Sequence, residues 1–295
     1  MELKREFSWS WSRYRCFESC KKAYHLRYTA AWQGWDRFSD ENTRIVYALK
    51  NLRTFDTWTY QVFRDTVRRV FNESHVRNID FNTVNLKRAA VRKLKDDWHS
   101  LAAFEWKTDP KKLNLSEIFY GKENLDGIFD HAVDKVFKDI ASFSRNNVFE
   151  EIARLPYSNF MDLKNPVSFF LEDLKIWISP DFVFTDEKGL NLVNFFCGKD
   201  IGNDDWHSVT GLNVIYACRK FSVPEEKINA RSVFTGEAYP DGLCAYSYRN
   251  TGELADIIRE SALDMIEFEN NSPQDLRPDS DSKCQNCEFR SFCLG

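Results

Sequence analysis

The spacing of apolar residues changes between residues 144 and 171. Before that point apolar side chains recur at three- and four-residue steps, the period that places them on one face of a helix. The pattern predicts helices over 8–28, 41–52, 56–71, 83–105 and 126–144. In 83–105 the predicted inner face is Val84, Ala90, Val91, Leu94, Trp98 and Leu101, and in 126–144 it is Phe129, Val133, Val136, Phe137, Ile140 and Phe143. After the change, LEDLKIWISPDFVF (171–184) and LNLVNFF (190–196) are short runs rich in β-branched and aromatic residues. They flank the turn signal TDEKG, which predicts a β-hairpin. Residues 204–221 return to the helical period, ARSVFTG (230–236) and GLCAYSYR (242–249) predict two more strands, and 251–269 predicts a last helix. This order predicts one α/β domain, a small mixed β-sheet flanked by helices with an N-terminal helical elaboration.

The 295 residues are 43% hydrophobic and 15% aromatic, enough for a sizeable core, and 11 Gly and 8 Pro argue against low complexity. A net charge of −4 excludes an overall basic field for nucleic acid, though not a local basic patch. No apolar run approaches the roughly 20 residues that cross a bilayer. The opening MELKREFSWSWSR has no apolar core of a signal peptide. A soluble, cytoplasmic protein without a membrane partner is expected.

Eight cysteines in a cytoplasmic chain do not predict four disulfides. Cys197, Cys218 and Cys244 lie singly and read as small buried hydrophobes. Cys284, Cys287 and Cys293 differ, being spaced C-x2-C-x5-C in a segment with little periodicity. A short tail without a core stays ordered only where something holds it. Cysteine metal sites normally need four ligands, so an iron–sulfur cluster, a zinc ion and no ligand at all remain open on the spacing alone.

Several stretches resemble, in order, the iron–sulfur branch of the PD-(D/E)XK nuclease superfamily, which includes RecB/AddB-type and CRISPR-adaptation nucleases. They are SWSRYRCFESCKKAYHLRY (10–28), WQGW (32–35), VYALKNLRTFDTWT (46–59), KIWISPDFVF (175–184), PEEKINARSVFTGE (224–237) and CQNCEFRSFC (284–293). The resemblance runs from residue 8 to residue 293. It implies a helical part over 8–160, a restriction-endonuclease-like core over 165–270 and a cluster tail over 280–295. It implies a [4Fe–4S] cluster held by Cys20, Cys284, Cys287 and Cys293, which would join the N- and C-terminal segments. Cys16, one helical turn from Cys20, is the substitute ligand.

The same resemblance locates the catalytic positions. Such nucleases hold Mg²⁺ with carboxylates and use a lysine against the developing charge. Asp181 fills the first acidic position. The second falls on Asn194, the lysine on Phe196, an upstream histidine on Phe63, and a downstream glutamine near Val209, with Leu212 as the other register. An amide lacks the charge that a carboxylate brings to Mg²⁺, and Phe cannot stabilise an anion. Bound Mg²⁺ or Mn²⁺ is therefore not expected. A rebuilt site would need Lys199 as the lysine and Glu172, Asp173 or Asp200 as the acid. His207, beside Asp205 and Trp206, reads as a solvated helix start. Cations at helical spacing over 64–69 and 87–95 are either solvated faces or a surviving phosphate-tracking face. The expected function is a degenerate nuclease-like accessory or decoy subunit in DNA processing, repair or defence, binding DNA or a nuclease or helicase partner. The alternatives are an active Mg²⁺-dependent exonuclease and an iron–sulfur module that binds only protein.

Overall fold

The computed structural model describes residues 6–77, 79–121, 124–161, 166–198, 205–271, 276 and 284–294. The chain is mixed α/β, with small sheets flanked by helices. It packs as two compact units. One comprises residues 1–8, 56–95 and 127–257, and the other residues 9–55, 96–126 and 258–295. In chain order the strands are β1 (Trp9–Ser10), β2 (Val167–Leu171), β3 (Leu174–Ile178), β4 (Phe182–Asp186), β5 (Gly189–Cys197), β6 (Ile228–Thr235) and β7 (Leu243–Ala245).

The first unit is built on a four-stranded sheet of order β4-β5-β6-β7. β4 and β5 are antiparallel, β5 and β6 parallel, and β6 and β7 antiparallel. The β4–β5 turn falls on the predicted TDEKG. Asp186 Oδ1 accepts from the amides of Lys188 at 2.8 Å and Gly189 at 3.1 Å. Gly189 has φ 130°, and a Cβ there would lie 2.3 Å from the Lys227 carbonyl oxygen, so only glycine fits. The predicted single run 171–184 is two strands in the structure. Pro180 lacks an N–H for a ladder and separates β3 from β4, and β3 instead pairs back on β2 as an antiparallel hairpin.

Helices α4 (Phe55–Arg77), α5 (Thr83–Ala102), α7 (Ile128–Ser144), α8 (Asn147–Arg154) and α9 (Asp205–Phe221) also contribute to this unit. Successive β5 side chains alternate between the faces of the sheet. On one face Phe195 meets Phe63 of α4 and Phe143 of α7, with ring centroids 5.3 and 4.9 Å away. On the other, Phe196 stacks on Phe234 of β6 at 5.3 Å, and Trp206 of α9 meets Phe234 edge-on at 5.4 Å. Helices thus cover both faces, which is why β5 reads as a continuous apolar run and not as an alternating one. In α5 the buried stripe is Leu86, Ala89, Ala90, Leu94 and Leu101, whereas Val84, expected inside, is exposed.

The second unit holds α1 (Trp11–Ser19), α2 (Lys21–His25), a π-helical turn (Leu26–Ala30), α3 (Glu41–Lys50) and the short α6 (Ser116–Phe119). Leu26, Ala31, Val46, Tyr47, Leu49 and Phe289 form its buried cluster. Polar ties join its N-terminal stretch to α10 (Thr251–Asn271). Trp9 Nε1 donates to Ser261 Oγ at 3.0 Å, and Arg13 Nη2 and Tyr24 OH each donate to Glu269 Oε1 at 2.5 Å. The helix predicted over 8–28 breaks at Cys20, whose backbone is extended at φ −162° and ψ 115°. Its Sγ accepts from the Ala23 amide at 3.4 Å, acting as the N-cap of α2. Cys16 and Cys20 stay one turn apart all the same, since the Cys20 amide still donates to the Cys16 carbonyl at 3.0 Å.

Candidate functional site

In the first unit, the approach to β4 sets Asp181. Its amide donates to the Val193 carbonyl at 2.7 Å, and its side chain is fully buried. Such a carboxylate needs donors to keep its charge. Arg64 Nε donates to Oδ1 at 2.5 Å, and Arg68 Nη2 lies 3.2 Å from the same oxygen. The Phe195 amide donates to Oδ2 at 2.8 Å. Arg64 and Arg68 are one turn apart on α4, so both reach one point. Arg64 Nη2 also donates to the Ser179 carbonyl at 3.1 Å, and Arg68 Nη2 to the Pro180 carbonyl at 2.8 Å. Tyr60, one turn earlier, donates to the Phe195 carbonyl at 2.7 Å, and burial holds its phenol above its usual range. Burial works against the Arg64 charge most strongly, but the charge and hydrogen bond of Asp181, with Tyr60 and Cys197 beside it, together hold the guanidinium above its usual range.

Asn194 stands next to Asp181 across the ladder, since Phe182 pairs with Val193. Its Nδ2 donates to the Ser179 carbonyl at 3.0 Å, and its Oδ1 accepts from Asn213 Nδ2 of α9. Asp181 and Asn194 are therefore brought together, sharing Ser179 as a neighbour. The other predicted positions are not gathered around them. Phe63 packs into Phe195 and Phe143, on the face of β5 opposite Asn194 and Phe196. Val209 is half-buried, Leu212 is buried, and the α9 side chain that reaches Asn194 is Asn213. Glu172 and Asp173 form the exposed β2–β3 turn, at the far end of β3 from Asp181. Lys199 and Asp200 lie outside the described residues. His207 is half-buried and stacks on Trp206 at 3.7 Å.

The predicted basic faces separate in the same way. Arg64 and Arg68 are spent on Asp181, while Arg69 lies 3.9 Å from Glu73 and donates to the Ala89 carbonyl at 3.3 Å. On α5, Arg88, Arg92 and Lys95 remain exposed. Sequence reasoning missed Arg64 and Arg68 as partners of Asp181, although their four-residue spacing was visible. It also missed Asn213, one residue past the alternative register at Leu212.

In the second unit Cys16, Cys20, Cys284, Cys287 and Cys293 are all free thiols, and all belong to that one unit. Cys287 and Cys293 pack partly buried against the Phe289 cluster. Cys20 and Cys287 each accept a backbone N–H on sulfur at 3.4 Å, from Ala23 and Phe289. Burial pushes the Cys287 thiol up to about 12, with Glu288, Cys293 and Cys20 close enough to add to it. Burial likewise raises Cys293, which feels Cys20 and Cys284. Cys16 is pushed up to about 11, again mainly by burial. Among the described residues, no group of three Cys, His, Asp or Glu side chains is drawn tightly enough to chelate a single ion. The donor set nonetheless fits a cluster in kind: Cys20, Cys287 and Cys293 are within electrostatic reach of one another, Cys284 is within reach of Cys293, and two of the four carry N–H donors on sulfur. No protein-family model matches the chain, and no curated protein matches it.

Proposed function

We propose that the chain is a catalytically degenerate, iron–sulfur-containing relative of the PD-(D/E)XK nucleases, acting in DNA processing, repair or defence by binding and not by cleaving. The carrying observation is the state of Asp181. The one acid retained at the nuclease position is saturated by two guanidiniums and an amide N–H. A divalent cation there would have to displace Arg64 and stand beside Arg68, with an amide in place of the second carboxylate. In a buried site that repulsion is poorly screened. Asp181, Arg64 and Arg68 then serve to fix the start of β4 against α4, a structural use of an inherited position.

Cys20, Cys284, Cys287 and Cys293 would hold the [4Fe–4S] cluster, and Cys16, raised by burial, is the reserve. When bound, the cluster supplies four metal–thiolate bonds that tie the N-terminal stretch to the tail. Binding is assigned to DNA through the exposed Arg88, Arg92 and Lys95 of α5, or to a nuclease or helicase partner. The second reading, a protein-only interaction module, draws on the loss of Arg64 and Arg68 to Asp181 and on the net charge of −4.

Electron paramagnetic resonance of Mn²⁺ titrated into the protein tests the dead-site reading. The expected result is no tight site that Asp181→Ala removes. A stoichiometric Mn²⁺ site lost in Asp181→Ala would overturn it. Fluorescence anisotropy with labelled DNA separates the two binding readings. The DNA reading expects weak binding that falls with salt and with Arg88→Ala/Arg92→Ala, and the protein-only reading expects none.

A further inference from the structure

The buried stripe of α7 includes Ala132, Val136, Ile140 and Phe143, and Asp139 stands among them at 1% exposed. A carboxylate in an apolar helix stripe requires a reason. Its Oδ1 accepts from Thr235 Oγ1 at 2.9 Å, at the last residue of β6. Its Oδ2 is sealed from bulk water and has no hydrogen-bond partner among the described residues. Asp139 also lines a pocket of about 290 Å³. The pocket lies just past the carboxyl ends of the parallel strands β5 and β6, where Gly198 and Gly236 follow Cys197 and Thr235. In open α/β sheets, ligands bind at the carboxyl ends of parallel strands. Gly236 has φ 104°, and a Cβ there would come within 3.2 Å of Asp139 Oδ1, so the glycine keeps this wall clear of a side chain.

The charges around the pocket select the ligand. Lys138 is held between Asp134 at 2.8 Å and Glu237 at 2.5 Å, and Lys135 pairs with Asp56 at 3.3 Å. Asp134, Asp139 and Glu237 line the pocket with Lys135, Lys138 and His131, and Asp56 pairs with Lys135 from outside it, so carboxylates outnumber ammonium groups and the unspent charge is negative. An anion is excluded. A bare divalent ion lacks ligands, because no three carboxylate, His or Cys groups among the described residues converge. What remains is an organic cation with its own N–H donors, small enough for the pocket.

We propose that this pocket binds a small organic cation, an alkylammonium or guanidinium, whose N–H donates to Asp139 Oδ2. The flexible Lys135 side chain moves aside to admit it, while Asp134 and Glu237 lie at the rim. The proposal is independent of the nuclease-like reading, since it uses none of Asp181, Asn194 or the clustered cysteines.

Isothermal titration of the full chain with putrescine, methylguanidinium and Mn²⁺, each alone, tests it. The expected result is saturable one-site binding of an amine probe, weakened at least ten-fold in Asp139→Asn. That variant keeps the Thr235 bond and is expected to fold, as a melting curve would check. Ala238→Trp, which puts a bulky ring on the pocket wall and leaves Asp139 in the sequence, should abolish binding as well. Absence of saturable binding by both organic probes, equal binding by Asp139→Asn, unimpaired binding by Ala238→Trp, or Mn²⁺ binding that Asp139→Asn removes would each overturn the proposal.

Discussion

Asp181 and Asp139 are both buried carboxylates in the same unit, and they are held in opposite ways. Asp181 has three charge-compensating or hydrogen-bonding partners, whereas Asp139 has one hydroxyl and an orphaned oxygen. Removing a partner from a buried ion pair leaves an uncompensated charge. Arg64→Ala should therefore destabilise the protein by about 3 kcal/mol in urea unfolding. Asp181→Asn combined with Arg64→Met, which removes both charges of that pair and leaves the partly exposed Arg68, should be milder than Arg64→Ala alone. For Asp139, burial raises the pKa from 3.8 to about 6. The folded state then binds its proton more tightly than the unfolded state between those values. Stability from this group is present below about pH 4 and is lost as pH rises toward 6, by at most about 3 kcal/mol. Asp139→Asn should consequently be more stable than wild type at pH 7, with the difference vanishing near pH 4. Melting temperatures of both proteins across that range check this, and a difference independent of pH would contradict it.

At the scale of elements, much was legible because period is a local property. The helices, the β4–β5 turn and the strand at 228–235 follow from apolar spacing and from TDEKG. What failed depends on single backbone choices and on long-range packing. Cys20 breaks a helix by capping the next one with its own sulfur, a role the sequence pattern gives to Ser, Thr, Asp or Asn. Pro180 divides one apolar run into two strands that pair differently. The resemblance that puts the catalytic positions on Asn194 and Phe196 fixes a register along β5 but not which helix covers which face. Phe63 accordingly lies against Phe195, and Asn213 takes the place expected of Val209. This sharpens a prediction about β5. Asn194→Asp with Phe196→Lys restores Asp-x-Lys on one face, yet cleavage should stay absent after Phe63→His and Val209→Gln are added. The new histidine would enter apolar packing on the opposite face, and Arg64 and Arg68 would still hold Asp181. The four-residue variant should also melt lower than wild type. Mn²⁺-dependent cleavage by it would show that these side chains share a site after all.

At the scale of the whole chain, residues 9–55 and the tail from 258 belong to one unit, in which Cys293 lies within electrostatic reach of Cys20, Cys284 and Cys287. Protein prepared without oxygen should be brown, with broad absorption near ~400 nm. Cys20→Ala, Cys284→Ala, Cys287→Ala and Cys293→Ala should each bleach it and lower its melting temperature, whereas Cys197→Ala, Cys218→Ala and Cys244→Ala should leave the colour intact. A colourless protein carrying one zinc ion would replace the cluster with a mononuclear site. The central claim of the proposed reading is narrower: Asp181, locked by Arg64 and Arg68, cannot run metal-dependent hydrolysis. Its most direct test is a cleavage assay with single-stranded and duplex DNA in Mg²⁺ and in Mn²⁺, run beside Asp181→Ala. The account predicts no turnover above background in either protein. Cleavage by wild type that disappears in Asp181→Ala would contradict it.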